Sequence, residues 1–404
     1  MAKSSVLRSF KHRNFRILYP ANALSNIGTW TQRVAQDWLV LQLTHNDAAS
    51  LGLVTAIQFL PAMLLSLYGG LLADRFNKRK LLLLTNLGAG LSSVVLGVLV
   101  VTNCVELWHV FALALLLGIF TAIDSPIRVS FTSELVGKDD LANAVSLNSA
   151  NFNVGRLVGP ALSGYLIYYF GTGPSFLLNT ATYAVMVVTL LVIRDEDLHI
   201  TAKPMRANKL SEAFSYVGSR RDLLLVMLTV FFTTTFGLNF QIFIALMATH
   251  EFGMGPDQFG TLGSILAVGS LSGALMAARL EKHRTTKNIL RGATLFGLLV
   301  MASAYLPSAV MYGAMLPLMG ATVLLTLIST NTYVQSNTDS ALRGRVMGIY
   351  LMIFMGGTPI GSPLIGFLAG QYGIRATILF CGVVVVLAAL VLRNLFRDVK
   401  PINK

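Results

Sequence analysis

The chain has 404 residues, of which 54% are hydrophobic and only 12% charged, where soluble domains run to about a quarter charged. Together with a mean hydropathy of +0.67, this excludes an ordinary soluble domain and makes a polytopic membrane protein the starting class. The formal charge of +13 would suit a nucleic-acid partner only if it were gathered on one surface, and it is not. Two cysteines, Cys104 in a loop and Cys381 in an apolar run, argue against a disulfide framework.

The N-terminal stretch MAKSSVLRSFKHRNFRILYP carries five Lys/Arg and is not followed by a short apolar core with a small-residue cleavage site. The first helix is therefore expected to be retained. Apolar windows long enough to cross a bilayer then recur at 17–43, 51–73, 81–102, 107–132, 144–170, 173–193, 222–248, 258–280, 288–305, 309–333, 346–370 and 374–393. Each must be a helix, because backbone polar groups in lipid have to bond internally. The spacing predicts twelve spans, with both termini on one side.

The basic residues fix that side. Of the 31 Lys/Arg, 28 fall in the N-terminal segment, the even-to-odd loops, the central loop or the C-terminal tail, and only Arg375 falls in an opposite loop. Arg33 and Arg156 lie inside spans. By the positive-inside rule both termini are cytoplasmic. The excess charge is a topology signal, and no nucleic-acid partner is expected.

The longest polar break, 194–221, divides the spans six and six: a bundle over 1–193, a central loop, and a bundle over 222–404. The halves echo each other at an offset near 202–204. ADRFNKRK (73–80) aligns with AARLEKHR (277–284), and GPALSGYLIYYFG (159–171) with GSPLIGFLAGQYG (361–373). Parallel six-helix repeats around a midplane site suggest a secondary transporter.

The stretch GLLADRFNKRK (70–80) resembles the loop 2–3 motif of the major facilitator superfamily, with Gly70, Asp74, Arg75, Lys78, Arg79 and Lys80 matching. Asn77 replaces the usual glycine and is read as a substitute that tolerates a left-handed turn. GTWTQRVAQDWLV (28–40), AIDSPIRVSFTSELVG (122–137), LANAVSLNSANFNVGRLVGPALSG (141–164) and RGRVMGIYLMIFMGGTPIGSPLIG (343–366) resemble the transmembrane secretion effector branch, which holds drug and siderophore exporters. The resemblance implies an all-α fold of two pseudo-symmetric six-helix bundles in the cell membrane, working as a monomer on a small-molecule substrate. It also implies a cytoplasmic gate, in which Asp74 meets the N-terminal end of span 11 and Lys78 pairs with Asp124. The plainer reading of that stretch is positive-inside charge on a capped helix end. Gly155, Gly159, Pro160 and Gly164 look like the exporters' antiporter motif; small-residue helix packing is the plain alternative.

Within span 1, Arg33 lies ~24 Å along the helix and Asp37 ~6 Å further, on the same face. Each charge costs about 2.5–3.5 kcal/mol at the bilayer centre. A census of the 18 acids leaves only Asp37 well inside the membrane, with Asp124 near the inner end of span 4. Burial can raise a carboxyl pKa and exposure can reset it. Asp37, tuned by Arg33 or Arg156, is therefore the candidate proton-coupling group, and protons the expected counter-ion. The alternative is a static ion pair that fixes helix packing. Trp30, Trp38, Asn151, Asn153, Asn239, Gln241 and Asn331 are candidate substrate contacts, each equally well read as a helix–helix hydrogen bond. No GxxxxGK[ST] motif occurs. No cofactor and no enzymatic activity are expected. The function read from the sequence is proton-coupled export of a small amphiphilic compound by alternating access. Import or facilitated passage of a polar metabolite, or a non-transporting scaffold, are the alternatives.

Overall fold

The computed structural model describes residues 7–199, 210–279, 285–339 and 342–396. The central-loop stretch 200–209 and the 280–284 part of the second loop echo lie outside them. Among the described residues there is no strand. A 3-10 turn (Arg8–Lys11) leads into α1 (Arg13–Leu43), α2 (Ala48–Arg75) and α3 (Lys78–Val101). Then come α4 (Leu107–Phe170), α5 (Gly173–Val192) and α6 (Leu210–Ser219). Next are α7 (Arg221–Phe232), a π turn (Thr233–Gly237), α8 (Phe240–Leu246), a second π turn (Met247–Glu251) and α9 (Pro256–Arg279). The chain ends with α10 (Thr286–Ser303), α11 (Ala309–Asn337), α12 (Arg343–Tyr372) and α13 (Ile374–Leu395).

Nine helical stretches among the described residues are long and apolar enough to cross a membrane. One of them is the 64-residue α4, which covers the two windows predicted over 107–132 and 144–170. It is broken only at Gly137, whose φ of 69° lies in the left-handed region that glycine adopts without strain. Neither α1 nor α10 is among the nine; α1 carries its polar and charged residues in mid-helix, and α10 is only 18 residues long and holds Lys287 and Arg291. The outward faces are apolar: on α3, Leu84, Leu87 and Leu91 are 64%, 56% and 64% exposed. A helix that leaves leucines outward and buries Asn86 and Ser93 inverts the soluble pattern, as a lipid-facing helix must.

The chain forms two compact units. The first takes the described residues of Met1–Leu43, Leu60–Met205 and Pro256–Ser264; the second takes those of Thr44–Phe59, Arg206–Gly255 and Ile265–Lys404. This departs from a cut at 193 in two places, because α2 and α9 each belong partly to both units. In the first unit α1 packs on α4 and α5, and α3 on the same pair. Its apolar core holds Phe15, Leu82, Ile127, Phe131 and Leu190. In the second, α10 packs on α11 and α13, and α12 on the first π turn.

Matching close approaches occur in the two units. In the first, a β-carbon at Gly164 would lie 2.6 Å from the Pro256 carbonyl oxygen, and one at Gly260 would overlap that of Pro160. In the second, a β-carbon at Gly366 would lie 2.5 Å from the Ala48 carbonyl oxygen, and one at Gly52 would overlap that of Ser362. Gly164 and Gly366 are the glycines that the repeat aligns.

Candidate functional site

The site is built on α1, whose polar residues point inward. Asn22, Ser25, Gln32, Gln36 and Asp37 are all buried. Gln32 Oε1 accepts from Ser93 Oγ and from Asn179 Nδ2, both at 2.7 Å, which ties α1 to α3 and α5. Gly28 lets α5 come close: a β-carbon there would stand 2.6 Å from Asn179 Oδ1 and Thr182 Oγ1. On the other flank, Gly155 and Gly159 of α4 receive α1. A β-carbon at Gly155 would lie 2.8 Å from Asn26, and one at Gly159 would lie 2.5 Å from Trp30 Cβ. The four small residues read as one motif therefore serve two neighbours, Gly155 and Gly159 facing α1, and Pro160 and Gly164 facing the start of α9.

This close approach brings the charges together. The Arg33 and Arg156 guanidinium carbons lie 4.9 Å and 5.5 Å from the centroid of the Trp30 ring. The two guanidiniums repel each other, while Arg33 and Asp37 attract. The indole face, negative at its centre, is a surface on which two cations can be held near each other. Phe152 meets Trp30 edge-on at 5.9 Å. Asp37 is 3% exposed, and its Oδ2 has no hydrogen-bond partner among the described residues. A carboxyl so placed is suited to exist in either protonation state, because neither is held by a full hydrogen-bond set. Trp38, one residue on, stacks on Phe259 at 5.9 Å.

The loop 2–3 residues behave differently from expectation. Asn77 is not left-handed: with φ −62° and ψ 115° it is extended, and its side chain accepts from Lys80 N as the N-cap of α3. Lys78 does not pair with Asp124; its Nζ donates to Glu134 Oε1 at 2.5 Å. Arg79 donates to the Leu190 and Leu191 carbonyls and to Asp195, closing the end of α5. Asp74 and Arg75 are exposed, and Gly70 falls within α2. Asp124 is held by Arg128, one turn along α4, and accepts from Thr85 Oγ1 and Asn86 Nδ2, both at 2.8 Å. Arg128, which the charge count groups with the 4–5 region although it falls in the predicted window 107–132, lies in the helix nine residues before Gly137, ~13 Å along the axis. The i, i+4 spacing of Asp124 and Arg128 was the available signal.

Several polar candidates are committed to helix contacts. Asn151 Nδ2 donates to the Tyr19 carbonyl at 3.0 Å, and Asn239 Nδ2 to that of Thr235 at 2.8 Å. Asn153 Nδ2 donates to the Ser149 carbonyl on its own helix. Asn331 lies against the Tyr350 hydroxyl, and Gln241 is half-buried on α8.

A further charged cluster, not singled out by sequence, joins the N-terminal turn to α4. Asp140 receives Lys11 at 2.6 Å, His12 at 2.8 Å and Arg8. Lys11 first, then His12 and Arg8, hold its carboxyl well below the usual carboxylate range. The second unit has a counterpart, in which Arg345 near the start of α12 donates to Glu212 on α6 at 2.6 Å.

Comparison with known proteins sets this architecture in context. A family model described as transmembrane secretion effector matches residues 4–401. The staphyloferrin A transporter of Staphylococcus aureus is 24% identical over 387 residues, 95% of this chain and 97% of that protein. The enterobactin exporter EntS of Shigella flexneri is 23% identical over 402 residues, covering 96% and 95%. The multidrug efflux pump Tap of Mycolicibacterium fortuitum is 25% identical over 359 residues, covering 86% and 87%. Among solved structures, a bacterial homologue of the human lysosomal transporter Spinster superposes with a TM-score of 0.78 at 16% identity, over 98% of this chain and 99% of that one. The nucleoside transporter NupG gives 0.75 at 15% identity, over 95% and 99%. At those identities the solved structures bear on the fold alone.

Proposed function

This chain belongs to the transmembrane secretion effectors of the major facilitator superfamily, and from that membership we propose that it exports a small amphiphilic compound, a drug-like molecule or a siderophore, by proton-coupled alternating access. In this reading it is a twelve-span monomer of the cell membrane with both termini cytoplasmic. Asp37 is the group that takes up and releases the proton, with Arg33 and Arg156 setting its field. The loop 2–3 residues and the Gly155–Gly164 stretch govern the conformational change.

The observation that supports it most is the state of Asp37. An acid 3% exposed, one of whose oxygens has no hydrogen-bond partner among the described residues, is expensive as a static feature. The exporters among the relatives support the direction.

The test is a substrate screen in cells stripped of other effluxers, followed by everted vesicles under an imposed pH gradient. Wild type should accumulate the substrate, and Asp37→Asn should reach the membrane in equal amount yet fail to respond to the gradient. Undiminished gradient-driven accumulation by Asp37→Asn would overturn the proton role. Accumulation of the opposite sidedness would overturn export.

A further inference from the structure

The interior of the first unit carries a polar seam that joins two sets of charges. On α5, Asn179, Tyr183 and Met186 recur at i, i+4 and i+7 and so share a face. At one end of the seam, Arg128 Nη1 donates to Asn22 Oδ1 at 2.5 Å and lies 3.6 Å from Met186 Sδ, while the same guanidinium pairs with Asp124. At the other end, Asn179 and Ser93 both donate to Gln32, next in sequence to Arg33. Tyr183 stands between. It is 5% exposed, and its hydroxyl lies against the Thr29 and Asn179 side chains. It interacts electrostatically with Asp124 and Arg128 on one side and with Arg33 on the other.

We propose that Tyr183 is a positioning residue that links the charge state of Asp37, through Arg33, to the Asp124–Arg128 pair. The proposal rests on the reading of Asp37 as a group that exchanges a proton. A phenol oxygen both donates and accepts, and its hydrogen rotates to suit its surroundings. In a site of low dielectric it follows the nearest uncompensated charge. While Asp37 is ionised, Arg33 has its countercharge one turn away. When Asp37 takes a proton, Arg33 loses that countercharge, and the Tyr183 lone pairs turn toward it. The hydroxyl hydrogen, which stays on Tyr183, is then presented to the Asp124–Arg128 side. The charged groups that interact with Tyr183 are Arg33 from α1 and Asp124 and Arg128 from α4, while Asp37 and Arg156 act on Arg33. From α3, Thr85 and Asn86 donate to Asp124 at one end of the seam, and Ser93 donates to Gln32 at the other. Gly90 of α3 gives Tyr183 its room, since a β-carbon there would press on Tyr183 Cβ at 3.2 Å.

Infrared pH titration of the purified full chain in detergent tests the link without any substrate. The protonated-carboxyl band of Asp37 is identified by its loss in Asp37→Asn. Tyr183→Phe, which keeps the ring and removes the hydroxyl, should move the midpoint of that band by about half a pH unit or more. Asp124→Asn and Arg128→Gln should move it in opposite directions, and both displacements should shrink at least twofold in the Tyr183→Phe background. An unmoved midpoint in Tyr183→Phe, or displacements of the same size in both backgrounds, would overturn the proposal. If Asp124→Asn does not fold, Arg128→Gln and Thr29→Val carry the same comparison. The two readings fail separately. An Asp37 band with an unmoved midpoint in Tyr183→Phe sinks only the link. Proton-driven export by Asp37→Asn sinks the coupling reading from which the link starts.

Discussion

Arg128 follows Asp124 by one turn of α4, and its Nε donates to the Asp124 carboxylate at 2.7 Å. The side chains are 25% and 13% exposed, so the pair is largely withdrawn from solvent. Removing one partner of a buried pair strands the other charge. Arg128→Met should therefore lower stability by about 3 kcal/mol. The double variant Asp124→Leu with Arg128→Met should recover most of that loss, because no charge is left behind. Thermal melting of the three variants in one detergent checks the order.

Trp30 lies beside two cations. Replacing it with alanine removes the ring that both Arg33 and Arg156 approach and leaves their repulsion, so Trp30→Ala should cost about 2 kcal/mol or more and abolish transport. Trp30→Phe keeps a weaker aromatic face and should fall between the two. Melting temperature and vesicle accumulation, measured on the same preparations, test the ranking.

Two glycines of α12 should respond in opposite ways to alanine. At Gly361 a β-carbon would overlap the Thr235 carbonyl oxygen, which is backbone and cannot swing aside, whereas at Gly370 nothing lies within 4 Å. Gly361→Ala should destabilise by about 1–3 kcal/mol. Gly370→Ala, in the same helix, should be neutral or stabilising by up to about 1 kcal/mol. Equal melting temperatures would refute the packing described for the first π turn.

The Asp140 cluster should make stability depend on pH on the acid side. Its carboxyl titrates lower in the folded chain than the roughly 3.9 of an unfolded aspartate. The contribution is thus complete above that unfolded value and is lost as pH falls toward the folded one. The difference in melting temperature between wild type and Asp140→Asn should shrink as pH falls below about 4. A difference that grew on acidification would contradict the contacts with Lys11, His12 and Arg8.

The helices were legible because long apolar windows leave few alternatives, and the family was legible from four stretches of residues. Interruptions were less so. A break was expected at 133–143, but this stretch is rich in helix-compatible residues, and α4 runs through it with Gly137 alone out of line. One uninterrupted span was expected over 222–248. Instead, three consecutive β-branched threonines followed by Phe236 and Gly237 give a π turn, a change of hydrogen-bond step that apolar periodicity does not register. In the central segment, α6 lies in a stretch that reads as a polar break, and its buried Ala213 and Val217, four residues apart, are the signal that such a reading overlooks. At the site, Asp37, Arg33, Arg156 and Trp30 could be chosen from charge and depth in the span. The choice of Glu134 over Asp124 by Lys78 could not, since sequence does not order two acids by distance.

The exchanged segments of α2 and α9 bear on how the chain can be divided. A fragment ending in the central segment would contain Pro160 and Gly164 but not Gly260, and the complementary fragment would contain Ser362 and Gly366 but not Gly52. Each half would lack one side of its own close approach. Each synthesised alone should be cleared by quality-control proteases, and each should survive when its sibling is made in the same cell.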